Sequence, residues 1–142
     1  MEKEFVPYEI ALALKELGFN EPSPIYYLDD LHHTPITVTP FGHKYKLDSY
    51  PSNSDLCEGW VSTPLFSQAF RWFREEYNLL SEIGLRDRED LSTWKFEITI
   101  IGKYEMKHNS ISYNTHEEAE LACLIKLIEI IKEKYGTSVT TL

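Results

Sequence analysis

The sequence predicts a single α+β domain, in the order helix–hairpin–helix–hairpin–helix. Two observations point there: three segments carry apolar residues at helical spacing, and two stretches between them carry strand-like alternation bounded by turn residues. The size agrees, since 142 residues suffice for one domain and are too few for two ordinary ones. Hydrophobic residues at 42% and charged residues at 26% are ordinary globular usage, which excludes wholesale disorder.

The first helix is predicted over 7–17. Pro7 suits the first helical turn, Ile10, Leu14 and Leu17 fall on one stripe, and Gly18 is placed to cap the C-terminus with Phe19 packing back. Pro22 and Pro24 prevent continuation. A weak hairpin follows, 36–39 with 43–47, joined across Pro40-Phe41-Gly42. Pro35 and Pro40 restrict its first strand to a sheet edge. Residues 48–59 are dense in Pro, Ser, Asn and Asp and read as a surface loop.

The second helix is predicted over 64–77, with Thr63 as N-cap and Pro64 at the first position. Its apolar face is largely aromatic (Leu65, Phe66, Ala69, Phe70, Trp72, Phe73, Tyr77), with Gln68, Arg71 and Arg74 opposite. The charged stretch 81–93 reads as a connection. From Trp94 to Met106 the even positions are apolar or glycine and the odd ones mostly polar, the period of a strand. Residues 107–110 read as a turn and 111–113 as a short returning strand, with Gly102 marking either a bulge or the tip of an earlier hairpin.

The third helix opens on a capping box, Thr115-His116-Glu117-Glu118, in which Thr115 accepts from the third amide and Glu118 reaches back to the cap amide. Leu121, Leu124, Ile125, Ile128 and Ile131 form its stripe, widened by Cys123, Leu127 and Ile130. Acids in the first turn and Lys132 and Lys134 in the last suit the helix dipole. No internal repeat or low-complexity tract is present.

A formal charge of −9, from 14 Lys+Arg against 23 Asp+Glu, argues against broad binding to a phosphate backbone and against a basic membrane anchor. The charge is uneven. Residues 1–40 hold 7 acids and 2 bases, 41–93 hold 9 and 6, and 94–142 hold 7 and 6. The front of the chain therefore either docks on a basic partner or serves solubility. The first residues, Met1-Glu2-Lys3-Glu4-Phe5-Val6-Pro7, show no basic leader or apolar run, and the apolar-rich run 121–131 is broken by Lys126 and Glu129. A cytoplasmic protein with no membrane span is the expectation. Cys57 and Cys123 can in principle form a disulfide, but Cys123 falls among Leu and Ile in a helix, where a buried free thiol is the simpler reading.

Three constellations carry chemically interesting residue types. Asp29, Asp30, His32, His33, His43 and Cys57 lie close in sequence, yet without the spacing of a zinc site, and no metal or cofactor is expected. Cys57 with His32 or His43 offers a thiol–imidazole pair, but no nucleophile elbow, phosphate loop or dinucleotide fingerprint accompanies it. The third is aromatic: Tyr26, Tyr27, Tyr45, Tyr50, Trp60, Phe66, Trp72 and Trp94 can stack on a planar ligand, and Arg71 and Arg74 can neutralise a phosphate or carboxylate. Core packing accounts for most of these rings. Trp60, in a glycine-flanked loop, either plugs the core or is presented to a partner.

Three stretches resemble a group of small uncharacterised proteins of Bacteroides-type gut bacteria and their phages. They are Phe5-Val6-Pro7-Tyr8-Glu9 through Ala11-Leu12-Ala13-Leu14-Lys15-Glu16-Leu17-Gly18-Phe19, then Gln68-Ala69-Phe70-Arg71-Trp72-Phe73-Arg74, then Tyr113-Asn114-Thr115-His116-Glu117-Glu118-Ala119-Glu120-Leu121-Ala122-Cys123-Leu124. The resemblance implies a phage or mobile-element accessory protein and assigns no activity to any residue. Two functions follow as expectations. The first is a non-catalytic protein-binding or inhibitory module using the acidic front and loop aromatics. The second is a nucleotide-type ligand site built from Tyr26, Tyr27 and Trp60 with Arg71 and Arg74.

Overall fold

A computed structural model describes residues 4–23, 25–28, 35–37, 52–56, 59–87, 89, 91–103, 105–109 and 111–135. The chain divides between Leu65 and Phe66 into two units, Met1–Leu65 and Phe66–Leu142. The fold class is α+β: the described residues form three helices and two small antiparallel sheets. The order differs from the expected one: among the described residues three strands, not a two-stranded hairpin, lie in each interval between helices.

In the first unit, α1 spans Tyr8–Glu16 with Pro7 just outside it as N-cap. Its end is the predicted one. Gly18 adopts φ +98°, a conformation that costs glycine little, its N–H donates to the Lys15 carbonyl at 3.0 Å, and the Phe19 N–H donates to the Leu14 carbonyl at 2.9 Å. Phe19 is buried, as are Ala11 and Leu14 on the face that α1 turns inward. Strand β1 (Ile25–Leu28) lies between β2 (Pro35–Thr37) and β3 (Trp60–Thr63), both antiparallel to it. Among the described strands β2, which begins at Pro35, lies at the sheet edge and pairs with β1, Tyr26 opposite Ile36. The expected second strand, 43–47, lies outside the described residues. Phe5 bridges Leu65, and the Val6 N–H donates to the Pro64 carbonyl at 3.0 Å, so the start of the chain runs beside the exit from β3.

The loop expected at 48–59 holds more structure than its composition suggested. A single 3-10 turn at Asn53–Asp55 brings the buried Asn53 carboxamide between two distant backbones. Its Nδ2 donates to the Phe19 carbonyl and its Oδ1 accepts from the Ser62 amide, both at 2.8 Å. Asn20 and Ser54 make a second reciprocal pair beside it, at 2.7 and 3.0 Å.

The second unit opens with α2 (Phe66–Tyr77). Thr63 does not cap it. Thr63 is the fully buried last residue of β3, and its hydroxyl donates to the Val6 carbonyl at 2.5 Å, so the helix starts three residues on. Gln68, expected on the polar face, is buried with Phe66, Ala69, Trp72 and Phe73. Asn78 ends the helix at φ +57°, a region Asn tolerates, and its carbonyl accepts from the Ile101 amide at 2.9 Å.

Strands β4 (Leu79–Leu85), β5 (Trp94–Ile100) and β6 (Glu105–Asn109) form an antiparallel meander. β4 replaces the first part of the expected connection at 81–93. The predicted long strand breaks at Gly102, φ +90°, so the glycine marks a hairpin tip and residues 107–109 are strand, not turn. The expected return at 111–113 shrinks to one bridge, in which Trp94 and Tyr113 exchange two backbone hydrogen bonds of 2.8 Å. Helices α2 and α3 (His116–Tyr135) contact this sheet and each other. Ile98, Phe96 and Leu79 are buried from the sheet, and Ala119, Cys123, Leu124, Leu127, Ile128 and Ile131 from α3. Ile125, placed on the predicted stripe, instead emerges to solvent. The sheet orders of the two units differ (β2-β1-β3 against β4-β5-β6), so the recurring helix-plus-three-strand sequence is not a structural repeat.

Candidate functional site: an aromatic step on the first sheet

The pleat of β1 separates the two adjacent tyrosines, because successive side chains of a strand point to opposite faces. Tyr27 pairs with Val61 and turns to the α1 side, where it is buried and meets the Tyr8 ring edge-on at 5.5 Å. Tyr26 pairs with Ser62 on the other face. There its ring stacks on Trp60, with centroids 5.2 Å apart and planes 9° from parallel. Both rings are half-buried. Cross-strand diagonals of this kind lie within reach of aromatic side chains, and an offset pair contributes about 0.5–1.5 kcal/mol beyond its burial.

The supports of this step come from three directions. Gly59, at φ +88°, makes the turn into β3 that delivers Trp60. Lys15, in the last turn of α1, donates its ammonium to the Trp60 carbonyl at 2.9 Å. Asn53 fixes the Ser62 backbone. The Ser62 hydroxyl, on the same face as the two rings, is buried and has no hydrogen-bond partner among the described residues. Sequence reasoning missed Ser62 and Asn53. The Ser52-Asn53-Ser54-Asp55 run was the available signal for Asn53, since such residues build capped turns. The Asp55 carboxylate accepts from the Ser52 amide at 3.0 Å and the Ser52 hydroxyl at 2.9 Å. These bonds hold its pKa below the ordinary carboxylate value.

Arg71 and Arg74 are exposed on α2, in the second unit, so neither unit by itself holds the arginines together with the aromatic step. Phe66 and Trp72 are core residues, Trp72 meeting Phe73 at 5.0 Å and Tyr77 at 5.4 Å, both edge-on. Trp94 meets His116 edge-on at 5.0 Å. Tyr45, Tyr50, Asp29, Asp30, His32, His33, His43 and Cys57 lie outside the described residues. Among the described residues no group of three His, Cys, Asp or Glu side chains is placed to hold a metal ion.

In the second unit Cys123 is buried, and Glu120 and His108 are half-buried. Burial pushes the Cys123 thiol up to about 12, with Glu120 adding to the rise and the Ser81 hydroxyl opposing it. A thiol so placed is not a nucleophile near neutral pH. Burial also raises Glu120, against the pull of His116. His108 stacks on Phe96 at 5.3 Å and is lowered first by burial and then by Lys126, with Glu129 opposing. Leu91 and Ile111 are exposed on the loops joined by the Arg86–Ser112 side-chain hydrogen bond.

No protein-family model, no curated protein and no solved structure matches the chain. Among the described residues no helix is long and apolar enough to cross a membrane.

Proposed function

We propose that the chain is a small cytoplasmic, non-catalytic protein-binding module, an accessory or inhibitory factor of phage or mobile-element origin. The observation that carries this reading is the half-buried Tyr26–Trp60 stack, held from α1, the 3-10 turn and β3 without being absorbed into the α1 side of the core. A rigid aromatic pair offers large contact area at low entropic cost, which is why Tyr and Trp dominate binding hot spots. Cys123, with its thiol buried and neutral, adds no nucleophile.

Photo-crosslinking tests the reading. A benzophenone amino acid at position 60 should capture a discrete partner from the native cell, and the same group at Glu133, exposed on α3, should not. The purified partner should then bind the intact chain and lose at least tenfold in affinity to Tyr26→Ala, as expected for a hot-spot ring. Identical adducts from both positions, or an affinity indifferent to Tyr26→Ala, would remove the basis of the proposal.

A further inference from the structure

The sheet of the second unit has two edge strands, and they are built differently. β6 carries devices that keep an edge from pairing: its ladder with β5 shifts register between Ile98 and Thr99, and Lys107 stands in mid-strand. β4 carries neither. Its seven residues pair with β5 in unbroken register, and none of them is lysine or proline. The Arg86 N–H donates to the Thr93 carbonyl and the Ile101 N–H to the Asn78 carbonyl, both at 2.9 Å. The even-numbered residues of β4 therefore turn their backbone groups toward β5, and Ser81, Ile83 and Leu85 turn theirs outward. Among the described residues no backbone hydrogen bond meets that outward row. Such a row is a template for another strand.

The residues of β4 fit a second copy of the same strand. Two copies related by a two-fold axis pair antiparallel, and the outward amides require the odd-numbered residues to form the hydrogen-bonded pairs. A register centred on Ile83 sets Ile83 against Ile83, Ser81 against Leu85, and Glu82 against Gly84. Glu82 is exposed and is the one charged residue of the strand, and in this register it faces a residue with no side chain. A register centred on Glu82 would set two carboxylates directly opposite, which is destabilising. Ile83 is half-buried and stands across from Phe96, on the face where Phe96 and Ile98 are buried. Pairing it with its own copy continues that apolar face across the joint. A strand of another protein would satisfy the same backbone groups, but the fit of Glu82 to Gly84 is the strand's own. We propose that β4 pairs antiparallel with β4 of a second copy, joining two three-stranded sheets into one of six strands. This surface belongs to the second unit and is independent of the aromatic step.

Sedimentation of the full chain between about 1 μM and about 1 mM is the test. The expected species is a dimer of twice 16.6 kDa that dissociates on dilution. Gly84 is the position to alter. Its φ is not positive, a Cβ there meets no atom within 4 Å, and the added side chain leaves on the face away from buried Phe96. Gly84→Glu sets an acid against Glu82 on both sides of the axis and should weaken the dimer about tenfold or more, whereas Gly84→Lys should tighten it. Glu82→Lys combined with Gly84→Glu should restore it. Amide exchange locates the surface: Ser81, Ile83 and Leu85 should be protected in the dimer and exchange freely in Gly84→Glu, while Leu80 and Glu82 stay protected in both. A chain that stays monomeric throughout would overturn the proposal. A dimer indifferent to the charge at position 84, or one in which the outward amides of β4 exchange freely, would do the same. Should Gly84→Glu fail to fold, a dimer that Gly84→Lys does not tighten would overturn it equally.

Discussion

The carboxamide of Asn53 holds the backbone amide of Ser62 at 2.8 Å, nine residues ahead in the chain. The same side chain holds the Phe19 carbonyl 34 residues behind. One buried polar group thus ties the end of the α1 cap to the middle of β3, the strand that carries Trp60 and Ser62.

Replacing Asn53 should therefore be costly. Asn53→Ala leaves a buried amide and a buried carbonyl without partners, and each such loss costs about 1–3 kcal/mol. A fall in urea midpoint matching about 2 kcal/mol or more, at unchanged slope, is the expected outcome. Asn53→Asp keeps the acceptor for Ser62 but sets a carboxylate against the Phe19 carbonyl, so it should be destabilising as well. Alanine at exposed Ser54 loses the Oγ contacts with Asn20 and Ser52, keeps the backbone N–H donation to Asn20, and should cost much less. Equal effects at Asn53 and Ser54 would show that burial does not set the cost.

The cap of α3 makes a second prediction. The Glu118 amide donates to Thr115 Oγ1 at 3.1 Å, while the Glu118 carboxylate accepts from the Asn114 amide at 3.2 Å, one residue before the position the motif implies. Thr115→Ala should cost about 1 kcal/mol, the usual value for a lost N-cap. Thr115→Ser should cost little. Thermal unfolding measures both, and a Thr115→Ala protein as stable as the parent would show that the cap is redundant.

What the sequence allowed and what it hid divide along physical lines. The α1 stop at Gly18, the α3 start at Thr115 and the period of β5 were legible because each is set by neighbours within a few residues. The start of α2 was not. Thr63-Pro64 has the chemistry of a helix cap, but tertiary pairing with Val6 claims the threonine hydroxyl and keeps it in a strand. β4 was hidden by charge: its Leu79, Ser81, Ile83 and Leu85 do alternate, opposite Ile100, Ile98, Phe96 and Trp94, yet the charged residues over 81–93 suggested a connection. Of the five candidate site residues, pattern alone could not tell that the pleat sends Tyr26 to Trp60 and Tyr27 to Tyr8. Ser62 had no local signal at all, since its meaning comes from the residues across the sheet.

Cys123 gives a chemical prediction. With Cys57→Ser in place to leave one thiol, a thiol-specific reagent at pH 8 should label the folded chain very slowly and the urea-unfolded chain rapidly. Two effects act together: the sulfur is buried, and its pKa near 12 leaves almost no thiolate. The raised pKa also carries a sign. The unfolded thiol ionises near 9 and the folded one near 12, so between those values the folded state holds more protons and stability falls as pH rises. Rapid labelling of the native protein would contradict both the burial and the shift.

His108 and Glu120 should pull the acid limb of stability in opposite directions. The pKa of His108 is lowered from 6.5 by its burial and by Lys126, so below 6.5 the unfolded chain binds more protons than the folded one. Its contribution is present above that pH and is lost as pH falls through the folded pKa. Glu120 is raised from 4.5 by burial, so above 4.5 the folded carboxyl holds its proton longer than the unfolded one. Its contribution is present below 4.5 and is lost as pH rises through the folded value. His108→Asn should therefore flatten the loss of stability as pH falls below 6.5, and Glu120→Gln should make the loss steeper as pH falls toward 4.5. Urea midpoints at half-unit pH steps for the parent and both variants measure the two slopes. Slopes that change in the same direction would mean that burial does not govern both groups.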